Sequence, residues 1–350
     1  MPRAERPLQL EALDLARLSA RQRAGLLTLQ TANLAESRPH DAAPTAAGLE
    51  RLIRGLCSQR NYSVHQVLAW HGSRPVGQVF TSASGKGDNP HLLQVEIFVS
   101  AGHRRQGIGR ALLRVAVERA LAERRSLLIG TSIDRVAAGA AFARGVGAQP
   151  GLASEVFELV LADLDDDLIE RWLRAGRERA PDVELVWLGS PYPAAELEGL
   201  ARVMAAMNDI PLGDLQIGDR IVTPTTLRDG DAFVRARGDE RWTVAARRRA
   251  DGVLVGLTET VWNASNPAVL VQLATVVLRA ERGRGLGRWL KAAMLARVRL
   301  ERQQVRRVRT DNASMNAPMR AINDALGFRL ALTETVWQVD TGVAAAALAR

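Results

Sequence analysis

Apolar positions along the 350-residue chain follow two rhythms, one of closely spaced β-branched runs and one of residues three and four apart. In the first half the runs predict strands near 65–71, 76–83, 92–99, 127–131 and 155–162. The longer period predicts helices near 19–33, 46–58, 107–124 and 136–144. Ile108, Leu112, Val115 and Ala116 form the apolar stripe of one of them. The second half repeats this order: helix 194–207, strands 242–248, 253–262 and 268–278, helix 285–302, strand 305–310, helix 316–326 and strand 333–339. Its stripe is Leu286, Leu290, Ala293 and Met294. Such stripes face a core and carry no chemistry.

The repetition is also visible in the punctuation. Arg104-Arg-Gln-Gly-Ile-Gly-Arg110 and Arg282-Gly-Arg-Gly-Leu-Gly-Arg288 share the form Arg-x-x-Gly-x-Gly-Arg and stand 178 residues apart. Val76-Gly77 and Val255-Gly256, and then Gly147-Ala148 and Gly327-Phe328, recur at nearly the same interval. A repeat this long signals tandem copies of one fold and not a solenoid. The length fits two cores of ordinary size. The expected organisation is a first domain over 1–162, a connecting helix over 163–180 that opens on Asp163-Leu-Asp-Asp-Asp167, and a second domain over 181–350. The fold class is α/β in the α+β sense, with a mostly antiparallel mixed sheet flanked by helices in each domain.

Composition narrows the setting. With 47% hydrophobic and 24% charged residues the chain is ordinary for a globular protein, and no apolar run reaches the ~18 residues of a membrane span. The first fifteen residues carry acids where a signal peptide would have its apolar core. Cys57 is the single cysteine, so no intrachain disulfide can form, and the expected compartment is the cytoplasm. The net charge of +9 comes from arginines spread among acids with few aromatics, which argues against nucleic acid as a partner. The five histidines show no ligand spacing, so no metal is expected. Neither loop has the Gly-Lys-Ser/Thr of a P-loop or the parallel context of a dinucleotide site.

Each Arg-x-x-Gly-x-Gly-Arg segment joins a predicted strand to a predicted helix. Glycines there let an anion approach free backbone N–H groups at the positive end of the helix dipole. The stretch from Thr275 to Gly287, with Thr310 to Phe328 after it, resembles the GNAT superfamily of acyl-CoA-dependent N-acyltransferases. The earlier copy extends that resemblance over nearly the whole chain, in the tandem arrangement known from mycothiol synthases.

The resemblance implies acetyl-CoA or another short acyl-CoA as donor, no metal, and a small-molecule or peptide amine as acceptor, in a monomer or homodimer. It places the backbones of Val276 and Val277 against the pantetheine arm, with either as an oxyanion donor. The loop Arg282, Gly283, Arg284, Gly285, Leu286, Gly287 and Arg288 would lie around the pyrophosphate, with Asn316 near the arm. In the first copy the matching residues are Phe98 and Val99, then Arg104, Gln106, Gly107, Ile108, Gly109 and Arg110. The copies differ around these loops: Val136 stands where the second has Asn316, and Ala148 where it has Phe328.

The tyrosine that many members carry four residues before the Gly of Gly-Phe is Ala143 in one copy and Asn323 in the other. That leaves Ser314 or water as the acid, or a thiolate departing unprotonated. The candidate bases are Glu96 in the first copy and Glu259 in the second, with Asp209 in the loop region expected to shape the acceptor pocket. The second copy keeps the fuller pattern and is the expected catalyst. The alternative is a non-catalytic CoA-binding or assembly module.

Overall fold

A computed structural model describes residues 7–85 and 87–350. In chain order the elements are β1 (Leu8–Ala12), α1 (Ala20–Ser37), α2 (Ala46–Ser58), β2 (Tyr62–His71), β3 (Arg74–Ser84), β4 (Leu92–Val99), α3 (Ile108–Ala122), β5 (Leu127–Ile133), α4 (Ala137–Gly145) and β6 (Gln149–Val160). There follow α5 (Asp166–Arg179), β7 (Val183–Leu188), α6 (Leu197–Ala205), α7 (Pro224–Arg237), β8 (Asp239–Arg248), β9 (Leu254–Asn263), β10 (Val269–Val277), α8 (Leu286–Glu301), β11 (Arg307–Ala313), α9 (Ala317–Ala325), β12 (Arg329–Asp340) and α10 (Thr341–Ala349). The rhythm of the sequence placed most of these; β1, β7, α7 and α10 were not expected. Local chemistry fixes several helix starts. Ser19 and Thr223 open α1 and α7 with capping boxes, and Asp165 and Asp340 cap α5 and α10 by accepting from backbone N–H groups.

The chain divides into two compact units. The first holds the described residues through Ala153, with Leu212–Gly218 and Glu334–Arg350. Its strands run β1-β2-β3-β4-β5 and close on β12, whose Glu334–Asp340 lie antiparallel to Leu127–Ile133. On one face Ile108, Leu112 and Ala116 of α3 pack with Trp337, Val339, Ala344 and Leu348. On the other, Leu26 and Leu29 of α1 and Leu49 of α2 meet Leu68, Trp70 and Phe98.

The second unit holds Ser154–Pro211 and Asp219–Thr333. Its strands run β7-β8-β9-β10-β11 and close on β6, with Ser154–Val160 antiparallel to Arg307–Ala313. Phe157, Leu159, Ile169, Trp289, Leu290 and Phe328 share the core under α5 and α8, while Leu197, Leu200, Leu227 and Leu257 form the one under α6 and α7.

The boundaries expected at 162 and 181 therefore need correction. Each sheet ends on the strand that closes the other copy of the sequence repeat, because backbone pairing and apolar side chains agree there. Trp337 buries its ring in the first unit and donates from Nε1 to Ser132 Oγ at 2.8 Å, while Phe157 and Leu159 are buried in the second. Nor is 163–180 a free connector. α5 lies on α8, and at Gly176 a methyl group would overlap the Trp289 ring. Among the described residues no helix is long and apolar enough to cross a membrane.

A chain ending at Thr333 tests this pairing. It strips β5 of one of its two neighbours and removes Trp337 and Val339 from a core where a large aromatic side chain is worth about 3–5 kcal/mol. Limited proteolysis should then cut first within residues 7–153 and spare 154–333, whereas unchanged resistance in the first unit would contradict the assignment.

Candidate functional site

Among the described residues each unit has one parallel strand pair, and in both the pairing stops early. β4 pairs with β5 over Leu92–Gln94 and Leu127–Ile129, and β10 with β11 over Val269–Gln272 and Arg307–Thr310. Beyond those points the strands part while β4 and β10 stay attached to β3 and β9 on their other side.

The antiparallel ladder decides which backbone groups face the opening, since the groups of successive residues alternate in direction. Ser100 N–H donates to Val76 O at 3.0 Å and Leu278 N–H to Val255 O at 2.9 Å. Counting back by twos, Phe98 and Val276 turn their groups into the ladder, while Ile97, Val99, Thr275 and Val277 turn theirs to the opening. Val99 and Val277, both expected against the arm, thus turn their groups to the opening. Phe98 and Val276 do not, and Ile97 and Thr275 take their places. Strand position was readable in the sequence, but this parity depended on the ladder register. One further difference separates the units: β10 shifts register between Gln272 and Thr275, a bulge opposite Glu259, while the β3–β4 ladder is regular. A bulge leaves a residue outside the ladder and re-aims the strand at the point of parting.

Both loops lead from this strand into a helix with a glycine N-cap, Gly107 at φ 79° before α3 and Gly285 at φ 84° before α8. The first N–H groups of each helix have no carbonyl one turn back, so they point outward at the positive end of the dipole. A Cβ on Gly107 or Gly283 would enter open space, with no heavy atom within 4 Å. That is room for an anion, and it fits the pyrophosphate that the sequence suggested. Arg105 takes at φ 65° the left-handed conformation that Gly283 takes at φ 83°. The last glycine of each motif serves packing instead: a Cβ on Gly109 would lie 3.2 Å from Phe142, and one on Gly287 3.4 Å from Ile322. Ile108 and Leu286 are buried.

The arginines of the two motifs are engaged within the protein. Arg104 Nε donates to Val99 O at 3.1 Å and its other end to Glu36, while Arg282 Nε donates to Val277 O at 3.1 Å and its other end to Asp209 at 2.7 Å. These clasps tie each loop to the end of its own strand. Arg284 pairs with Glu281 and Asp182, Arg110 donates to Ala347 O, and Arg288 stands over the Trp172 ring at 5.5 Å. What the loops turn outward is chiefly backbone N–H and dipole. Gln106 is exposed beside them.

The remaining candidates separate by environment. Asn316 is the N-cap of α9, where its Oδ1 accepts from Met319 N–H at 3.4 Å, and Ser314 is exposed in the preceding turn. Glu96 lies on β4 past the parting point, on the α1 side with Gln94 and Phe98; it is reached by solvent yet hemmed in enough that desolvation raises its pKa. Glu259 is sealed. It is 3% exposed, accepts from Tyr192 Oη and from Thr243 Oγ1 at 3.4 Å, and stands 3.7 Å from Arg241, which pairs with Asp231. Desolvation raises its pKa against the opposing pull of Tyr192 and Arg241. This carboxyl spends itself on a buried network of Tyr192, Thr243 and Arg241, which corrects its expected role as base.

One group escaped the sequence reading. Lys291 on α8 is 1% exposed, its Nζ 2.5 Å from Oδ1 of the wholly buried Asn323 on α9 and 5.4 Å from the Phe328 ring centre. Burial pulls its pKa to about 7. The signal was its place in the apolar stripe with Leu295 and Val298, at helical spacing.

Comparison with known proteins agrees with this geometry. Residues 29–148 match the model of the acetyltransferase (GNAT) family. No curated protein matches the chain. Among solved structures, a tandem GNAT protein from the clavulanic acid biosynthesis pathway is 26% identical, with 96% of this chain and 99% of that one covered at a TM-score of 0.78. A GCN5-related N-acetyltransferase from Sphaerobacter thermophilus shares the fold at 13% identity, covering 95% and 96% of the two chains, TM-score 0.63. So does a glucosamine N-acetyltransferase region of a fungal multi-domain GH3 beta-N-acetylglucosaminidase, at 12% identity, 96% and 38% coverage and TM-score 0.66. Residues 29–148 thus match the acetyltransferase (GNAT) family, and the chain as a whole resembles a tandem GNAT protein in fold.

Proposed function

We propose that this protein moves an acetyl or other short acyl group from acyl-CoA to the amine of a small molecule or peptide, by direct attack on the thioester. The observation that carries the reading is the parted strand pair headed by a glycine-capped helix, present in both units. It offers two things in line: N–H groups and a helix dipole for a pyrophosphate, and a strand edge at Thr275 and the Val277 N–H, or Ile97 and the Val99 N–H, that no strand covers and that can pair with amides of the arm like an added strand.

The thioester supplies the activated acyl carbon. The protein's part is to hold that carbon in place and to stabilise the charge that develops on its oxygen, which a backbone N–H at the parting point can do. We place turnover in the second unit, because the bulge at Gln272–Thr275 frees the strand from its ladder there. One observation favours a second reading, with turnover in the first unit. Glu96 is reached by solvent and desolvation raises its pKa, the direction that makes a carboxylate a better proton acceptor.

Release of free thiol from acetyl-CoA with a panel of primary amines tests the activity, and two variants assign it. A valine at Gly107 or Gly285 puts a branched side chain into a left-handed position at the helix start, and each should abolish CoA binding in its own unit. Gly285→Val should lower thiol release at least about tenfold while Gly107→Val leaves it within about threefold; the reverse result moves catalysis to the first unit. CoA binding without turnover on any amine would leave a binding module. If the first unit turns over, its rate should rise with pH through the raised pKa of Glu96, and Glu96→Gln should remove that limb without changing CoA affinity.

A further inference from the structure

The pair Lys291 and Asn323 is not required by the fold. At the matching places in the first unit stand Leu113 and Ala143, apolar residues that serve the same layer of helices. A buried ammonium with a single neutral partner is costly, and no carboxylate contributes to its environment; burial alone displaces its pKa. Asn323 spends its Oδ1 on Lys291, while its Nδ2 has no hydrogen-bond partner although the residue is wholly buried. The interior thus holds an ammonium with one neutral acceptor and an amide N–H with none.

Their position explains what they could meet. α8 leaves Gly285 and descends about 1.5 Å per residue, which puts Lys291 about 9 Å below the loop. β10 rises to the same loop at about 3.3 Å per residue, which puts Ala274 about 10 Å below Val277. By these rises Lys291 and the bulge stand at about the same depth below the loop. α8 packs on β9 and β10 and α9 follows β11, so the link from Lys291 to Asn323 joins the two helices that flank the gap between the parted strands.

We propose that Lys291, oriented by Asn323, meets the sulfur of the acyl-CoA arm in the second unit and protonates the departing thiolate. The inference rests on the reading of that unit as an acyl-CoA site. As the amine nitrogen bonds to the acyl carbon, the carbon–sulfur bond breaks with its electron pair going to sulfur, and a proton passes from Lys291 Nζ to that sulfur. The proton shed by the acylated nitrogen, carried by solvent, restores the ammonium. An ammonium with a pKa of about 7 is a stronger acid than a thiol at about 8.5, so the transfer runs downhill. The role filled by tyrosine in many relatives is here divided between a lysine and the asparagine that aims it.

Calorimetry with CoA and with desulfo-CoA, which lacks the sulfur, tests the contact without knowledge of the acceptor. The second-unit site is identified as the one lost in Gly285→Val. Wild type should bind CoA there about tenfold more tightly than desulfo-CoA, and Lys291→Met should bind both equally. Lys291→Met removes a buried charge, so its melting temperature should not fall; if it does, the wild-type preference alone decides. Equal binding of both ligands by wild type, or a preference that survives in Lys291→Met, would overturn the proposal. Binding of neither ligand at the second unit would overturn the acyl-CoA reading as well, a result distinct from equal binding of both.

Discussion

The structure turns on one constraint: a parallel strand pair that holds together for three or four residues and then separates. Pairing of Leu92–Gln94 with β5, and of Val269–Gln272 with β11, anchors the two strands at one end. Antiparallel pairing to β3 and β9 keeps β4 and β10 extended beyond that anchor. The result is a row of backbone groups that no strand covers, held rigid by the ladder behind it. The helix that follows must begin where the strand ends, and its uncapped N–H groups and dipole fall at the head of that row. Neither feature depends on a particular side chain except the glycines.

That division of labour explains the arginines. Arg104 and Arg282 spend their guanidinium groups on the carbonyls of Val99 and Val277 and on Glu36 and Asp209. The clasp holds the loop against the strand, and so sets where the helix starts. Arg284 is likewise held by Glu281 and Asp182. Charge in these loops serves shape first.

Much of this was legible in the sequence, and the rest was not for identifiable reasons. The interval of 178 residues between the motifs marks the duplication, and apolar period marks the cradle helices, because both are local signals. The exchange of closing strands was hidden, since 155–162 and 333–339 read alike and only long-range pairing decides which sheet each completes. Parity along β10 was hidden for the same reason: Val276 looks as available as Val277 until Leu278 is seen to bond Val255. Glu259 read as a candidate base because its seal comes from Tyr192, 67 residues away. Lys291 was overlooked because a lysine in a helix is ordinarily solvated; its spacing with Leu295 and Val298 was the clue. Asn323 was noticed as an absent tyrosine, and its partner supplies the missing polarity.

The central claim is that the open edges of β4 and β10 receive the arm of an acyl-CoA. Amide hydrogen exchange resolved by residue, with and without CoA, tests it most directly. CoA should slow exchange at Thr275 and Val277, or at Ile97 and Val99, together with the first turn of α8 or α3, and leave Val276 and Phe98 unchanged because the ladder already protects them. Protection confined to the loops, or absent from both strand edges at saturating CoA, would contradict it.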